Sequence, residues 1–204
     1  MDFNTISIGV VESRDNDFVK MCLNSINRQW YIPECTELIE VNNLKREHTI
    51  GACYNEIVKK ATKDWVLFIG DDDMIARTYL FNLNAFLEAF RERHDEDPVC
   101  VTTNIILYSE TEMVSLDAVP QGMWNREYLL ENPFNEELPR YVDTDMFDRT
   151  EKLGKLIIHD QTNSGYYYRQ HDDNISGNKF ERKGGISKIM KDRIEANKRF
   201  GVIV

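Results

Sequence analysis

The 204-residue chain is 42% hydrophobic, with ten glycines and five prolines, a balance that fits one ordinary globular domain and excludes disordered, collagenous and low-complexity chains. Its formal net charge of −10 sets up a field that repels nucleic acid and anionic membranes. No apolar run approaches the ~20 residues of a membrane span, and Met1-Asp2-Phe3-Asn4 lacks the basic-then-apolar order of a signal peptide, so a soluble cytoplasmic protein is expected. Cys22, Cys35, Cys53 and Cys100 form no C-x-x-C pair and read as reduced thiols rather than as a zinc or redox site.

The first element is Ile6 to Val11, a short β-branched apolar run typical of a strand buried on both faces of a parallel sheet. Asp15, Asn16 or Asp17 can cap the helix that follows, whose apolar positions Phe18, Cys22 and Ile26 recur at fours and which ends near Gln29. Leu38 to Val41 is a second strand stopping at Asn42-Asn43, and Cys53, Ile57 and Ala61 mark one face of a second helix. Trp65 to Ile69 is the strongest strand, and the acidic run Asp71-Asp72-Asp73 follows it directly. Leu80, Leu83, Leu87 and Phe90 then predict an amphipathic helix, and Val99 to Leu107 a fourth strand. Residues 108 to 176 are less periodic and complete a pocket rather than a second domain. From Gly177 to Val204 the chain is locally basic, and Ile186, Ile189, Met190 and Ile194 predict a terminal helix packed on the same domain. The alternation implies an α/β domain, a mostly parallel central sheet with helices on both faces that binds ligands outside the carboxyl ends of its strands.

Three adjacent carboxylates repel one another unless a cation or hydrogen-bond donors compensate. In an extended chain Asp71 and Asp73 project to one side and can share one hard cation, for which Mg²⁺ or Mn²⁺ suits oxygen ligands better than zinc. Asp and Asn are also common at strand-to-helix turns, so the triplet alone is weak evidence.

Its companions make it specific. Ser13-Arg14 with Cys22 to Gln29, Gly51-Ala52-Cys53-Tyr54-Asn55, and Trp65 to Asp73 resemble, in order, the nucleotide-binding half of family 2 glycosyltransferases, which share the GT-A (Rossmann-like) fold. Gly122 to Arg126, Phe134-Asn135-Glu136, Asp143-Thr144-Asp145 with Arg149, and Tyr168 to His171 through Asn174-Ile175-Ser176 resemble its acceptor-side and closing segments. The resemblance covers residues 5 to 176, giving a domain over 1–176 and a basic helical extension over 177–204. It implies an inverting, metal-dependent transfer of a sugar from a nucleotide-diphosphate sugar to an acceptor hydroxyl. Glu12, Ser13, Arg14, Asn42 and Asn43 match positions that hold the nucleotide, with uracil the first expectation although many relatives carry Asp where Asn42 or Asn43 stands. Asn55 matches a position near the nucleotide, and Tyr54 replaces a frequent Arg. Asp71 matches a ribose or metal contact, Asp72 is expected beside it among the donor-binding residues, Asp73 matches a direct metal ligand, and His171 matches a position that supplies a further metal or diphosphate contact. Asp143 matches the general base, which takes the acceptor proton while the metal neutralises the leaving group. Asp145 competes for that role, since in an extended segment the two acids share a face. The family's usual Glu before the base is Val142 here. Trp124 would offer an aromatic face to a sugar, although such a residue is more often core.

Other chemistries fare less well. The turn Glu12-Ser13-Arg14-Asp15 has none of the glycines a nicotinamide dehydrogenase needs, and no G-x-x-x-x-G-K-[ST] occurs. A metal-dependent nucleotidyltransferase or hydrolase, or an inactive nucleotide-sugar-binding module, stays open. The acceptor is not readable: a saccharide, lipid-linked glycan, protein side chain or modified nucleobase could each present the hydroxyl. The basic C-terminal helix keeps a weak contact with an anionic surface open.

Overall fold

The computed structural model describes residues 3–31, 33–109, 113–116 and 122–171. The expected extension 177–204 and the closing residues Asn174, Ile175 and Ser176 lie outside them. β1 (Ile6–Glu12) pairs in parallel with β2 (Thr36–Asn42) on one side and β3 (Trp65–Gly70) on the other. Between β1 and β2 runs α1 (Asp17–Asn27), capped by Asn16, whose side chain accepts from the Phe18 amide at 2.9 Å. Between β2 and β3 runs α2 (Ile50–Lys60), capped by Thr49.

Beyond β3 come the two-residue β4 (Met74–Ile75) and α3 (Tyr79–Arg91). The run Val99 to Leu107 is not one strand. It divides at Asn104 into β5 (Cys100–Thr103) and β6 (Ile105–Tyr108), which belong to different sheets. Asn104 turns its amide to the Gln161 carbonyl at 2.7 Å, and this polar step separates the two strands. β7 (Met113–Leu116), β8 (Gly122–Asn125), α4 (Arg126–Glu131), α5 (Val142–Lys152), β9 (Ile157–Asp160) and β10 (Tyr166–Arg169) complete the described chain.

The six-stranded sheet has the order β2-β1-β3-β8-β5-β9, and β8 alone runs against its neighbours, so the central sheet is mostly parallel, as the alternating pattern predicts. The second, four-stranded sheet, β4-β10-β6-β7, has no counterpart in the sequence pattern. Strand alternation sends Ile6, Ile8, Val10, Leu67 and Ile69 into a core under α1 and α3, and Val66, Phe68, Cys100 and Trp124 into a core under α2, α4 and α5. At Gly9 an added Cβ would stand 2.5 Å from the Ile57 side chain, so glycine lets α2 lie directly on β1. No helix among the described residues is long and apolar enough to cross a membrane.

Candidate functional site

From β1 the chain passes to β2 on one side, then returns to β3 on the other. That reversal opens a crevice at the carboxyl ends of β1 and β3, where open α/β sheets hold ligands. A pocket lies there, floored by Val11, Ile69 and Gly70 and walled by Ser13, Arg14, Tyr54, Asp71, Asp72, Asp73, Tyr168 and the segment Pro139 to Asp143.

The acidic run is not extended. The Asp73 amide donates back to the Gly70 carbonyl at 3.0 Å, closing a turn that sends the three carboxylates different ways. Asp71 Oδ2 accepts from the Ser13 amide at 2.7 Å and its hydroxyl at 3.0 Å, and Arg14 Nε stands 3.3 Å from Oδ1. Asp72 Oδ2 takes Arg14 Nη1 at 2.8 Å and lies 2.8 Å from His171 Nε2. Asp73 faces inward, accepting from the Tyr166 hydroxyl at 2.8 Å and the Arg169 amide at 2.9 Å. Burial raises the Asp71 carboxyl above the ordinary range, against the lowering pull of Ser13 and Arg14. Glycine at position 70 permits this folding back, because a Cβ there would meet Asp73 Oδ2 at 2.7 Å and Asp72 Oδ1 at 3.1 Å.

The second sheet makes this cluster possible. β10 carries Tyr166 and Arg169 and leads to His171, and it pairs with β4, which directly follows the acidic turn. Phe18 of α1 backs both groups, its ring 5.4 Å from the imidazole and 4.2 Å from the Arg169 guanidinium carbon.

Asp143 and Asp145 also depart from the extended expectation, since both sit in the first turn of α5. Two residues apart on a helix, they diverge by about 200°. Asp143 lines the pocket, with Oδ1 accepting from the Thr144 amide at 2.8 Å, whereas Asp145 pairs with Arg149 Nε at 2.8 Å. Tyr141 precedes the helix in the left-handed region at φ 61° and is exposed at the pocket edge.

Several residues expected to meet the nucleotide make structural contacts in this chain. Asn55 is buried, donating to the Phe134 carbonyl at 2.9 Å and to Glu136 Oε1 at 2.8 Å while accepting from the Phe134 amide at 2.9 Å. It thereby pins α2 to the segment that leads into the pocket wall. Asn43 closes its own loop through the His48 carbonyl and amide at 2.9 and 3.2 Å, and Asn42 accepts from the Leu44 amide at 3.2 Å. Glu12 stands at the end of β1, its carboxyl raised first by desolvation and then by Glu40. Trp124 lies in the core, 2% exposed, packed edge-on to Phe147 at 4.8 Å, and offers no face to the pocket.

Tyr54 has a larger place than its sequence context suggested. It lines the pocket and packs on Phe68 at 4.4 Å, and burial, then Asp143 and Asp73, push its hydroxyl far above the ordinary range. Its place one residue before Asn55, where the resemblance leads one to expect Arg, was the sequence signal for it, and like Asn55 it reaches Phe134, ring to ring at 5.2 Å. Tyr168 was marked only by its place in the closing segment of the resemblance, and the segment Pro139 to Tyr141 carried no signal.

A divalent ion can be tested against these donors. Among the described residues no three His, Cys, Asp or Glu side chains converge as a metal cage. One pair does have the right bite: Asp72 Oδ2 and His171 Nε2 are 2.8 Å apart, close to the ~3 Å edge of an octahedron with ligands at about 2.1 Å. A carboxylate oxygen beside an imidazole nitrogen suits Mn²⁺ or Mg²⁺ with phosphate and water in the other positions.

The six-stranded sheet with its acidic turn at the end of β3 is a GT-A fold. The chain is similar to S. aureus TarS 1–349 in complex with UDP-GlcNAc, with a TM-score of 0.69 at 16% identity over 83% of this chain and 60% of that one. It is similar also to S. aureus TarS 1–349 in complex with UDP, with a TM-score of 0.67 at 16% identity over 81% of this chain and 60% of that one. Against the longer S. aureus TarS the TM-score is 0.63 at 16% identity, over 81% of this chain and 36% of that one. The chain therefore spans about three-fifths of TarS 1–349. No family model and no curated protein matches the sequence.

Proposed function

We propose that this chain is an inverting glycosyltransferase that moves a sugar from a nucleotide-diphosphate sugar, with UDP as the nucleotide, to an acceptor hydroxyl. The observation that carries the reading is the joining of Arg14, the acidic turn and Asp143 in one pocket at the carboxyl ends of β1 and β3. The likeness to a fold solved with UDP and with UDP-GlcNAc supports the choice of donor.

In this reading Ser13 and Arg14 meet the donor beside the turn, Glu12, Asn42 and Asn43 border the base, and Asn55 acts from beneath by holding the pocket wall. Asp143 accepts the proton of the acceptor hydroxyl. That oxygen attacks the anomeric carbon from the face opposite the diphosphate, and the bond from carbon to phosphate oxygen breaks with its electron pair leaving on the nucleoside diphosphate. The Asp72–His171 pair would hold Mn²⁺ or Mg²⁺, with Asp71 and Asp73 shaping the turn around it; such an ion supplies charge neutralisation on the leaving group. Arg14 supplies a positive charge for the same purpose. Asp145 acts through its ion pair with Arg149, which also donates to the Pro133 carbonyl at 3.0 Å and so steadies α5.

Asp143→Asn separates the roles. UDP affinity by calorimetry should stay within a few-fold of wild type, while transfer from UDP-sugars falls about 10²- to 10⁴-fold, the usual contribution of general-base catalysis. A variant that turns over normally would remove Asp143 from the chemistry. Release of nucleoside monophosphate without any glycosylated product would replace transfer by hydrolysis.

A further inference from the structure

Arg14 lies against both members of the Asp72–His171 pair. Its Nη1 lies 2.8 Å from Asp72 Oδ2 and 2.9 Å from His171 Nε2, and those two atoms are themselves 2.8 Å apart. A guanidinium has donors only. In the imidazole tautomer with its proton on Nδ1, one N–H of Nη1 meets the carboxylate and the other the Nε2 lone pair. In that tautomer, the one whose Nε2 lone pair could also ligate a metal, two lone-pair atoms this close repel unless a cation lies beside them, and Arg14 is that cation, whereas with the proton on Nε2 the ring itself donates to Asp72. The guanidinium is held from a second side, where Nε stands 3.3 Å from Asp71 Oδ1, and its side chain is 13% exposed.

We propose that Arg14 is an internal counterion that closes the Asp72–His171 pair in the absence of nucleotide and must release it before a divalent cation can bind. The inference rests on the metal-assisted reading above and assigns Arg14 a regulatory part within it. Charge balance explains the order of events. Arg14 already neutralises the pair's one carboxylate, so a doubly charged ion added at Asp72 and His171 would stand against a guanidinium at ligand distance, in a largely buried turn where that repulsion is poorly screened. A nucleoside diphosphate brings two or more negative charges. Arg14 can then turn to the phosphates, leaving Asp72 and His171 to the ion. Metal and diphosphate thus promote each other's binding, with reciprocal coupling required by linkage.

The test measures Mn²⁺ binding to the nucleotide-free protein by calorimetry and by electron paramagnetic resonance, without any assay of turnover. Arg14→Gln should bind Mn²⁺ about ten- to a hundredfold more tightly than wild type, since removing a positive charge at ligand distance favours another cation. Arg14→Lys, which restores one charge on a flexible stem, should return the affinity toward wild type. UDP should raise the Mn²⁺ affinity of wild type by a larger factor than that of Arg14→Gln. A role limited to bracing the turn predicts the opposite sign, with looser Mn²⁺ binding in Arg14→Gln, and that result or an unchanged affinity overturns the proposal while sparing the metal reading. Absence of Mn²⁺ binding in all three proteins, with and without UDP, overturns both. Far-ultraviolet circular dichroism and the thermal midpoint establish that the variants compared are folded.

Discussion

Replacing Asn55 with Ala distinguishes a nucleotide contact from a structural anchor. The side chain makes three hydrogen bonds to the segment at 134–136, two of them with the buried amide and carbonyl of Phe134. Glu136 can recover water when its partner is lost, but the two Phe134 groups cannot. Each buried backbone group left without a partner costs about 1–3 kcal/mol, so the substitution should destabilise the fold by about 3 kcal/mol. For a chain of this size that lowers the thermal midpoint by about 6–12 °C. Urea unfolding monitored by tryptophan fluorescence gives the free energy, and calorimetry with UDP at a temperature where the variant is folded gives the affinity. Turnover should fall as well, because the anchored segment leads through Pro139 to Asp143 in the pocket wall. A variant with wild-type stability and abolished UDP binding would refute the reasoning and return Asn55 to the nucleotide.

Gly70→Ala would place a methyl group 2.7 Å from Asp73 Oδ2 and 3.1 Å from Asp72 Oδ1, so the turn must shift. UDP-sugar affinity in the presence of Mn²⁺ should drop by about tenfold or more in a folded protein, the scale of one misplaced charged contact; unaltered affinity in a titration would show that the turn's shape is immaterial to the donor. Glu12 gives a pH dependence. Burial and Glu40 raise its carboxyl, so the folded state holds its proton more tightly than the unfolded chain and ionisation removes stability as pH rises through the folded value. Glu12→Gln should therefore unfold at higher urea than wild type at pH 7 and match it near pH 4; equal destabilisation at both would mean that the carboxylate itself is needed.

The β-α-β-α-β half was legible because its strands centre on short, mainly apolar runs and each helix repeats its apolar residues at threes and fours. Asn16 was one of three capping candidates, and only the chain's path from β1 selects it. Asn104 shows the limit of such reading. Periodicity across Val99 to Leu107 is that of one strand, while the amide that turns to the Gln161 carbonyl has its partner more than fifty residues away. The second sheet was illegible for the same reason: β4 has two residues and β10 has four, too few for a pattern. For the acids the sequence identified the groups but not their conformation. Gly70 signals a turn before Asp71, and Val142, Met146 and Thr150, all buried at a spacing of four, mark the helix that carries Asp143 and Asp145 apart. Trp124 and Asn55 show the converse. Both positions fit the family resemblance, and in this chain their side chains are taken up by the core and by the Phe134 backbone.

The reversed strand β8 has a consequence for how the chain acquires its structure. It follows β5 in sequence yet lies between β3 and β5 in space. During synthesis, the parallel group β2-β1-β3 can associate as soon as it emerges, but its outer margin at Trp65, Val66 and Leu67 waits for residues 123–125. Until then the nascent chain presents an apolar strand margin to its surroundings, the kind of surface that chaperones cover and that seeds off-pathway association. Pairing of β8 is what covers that margin, joining β2-β1-β3 to β5 and β9.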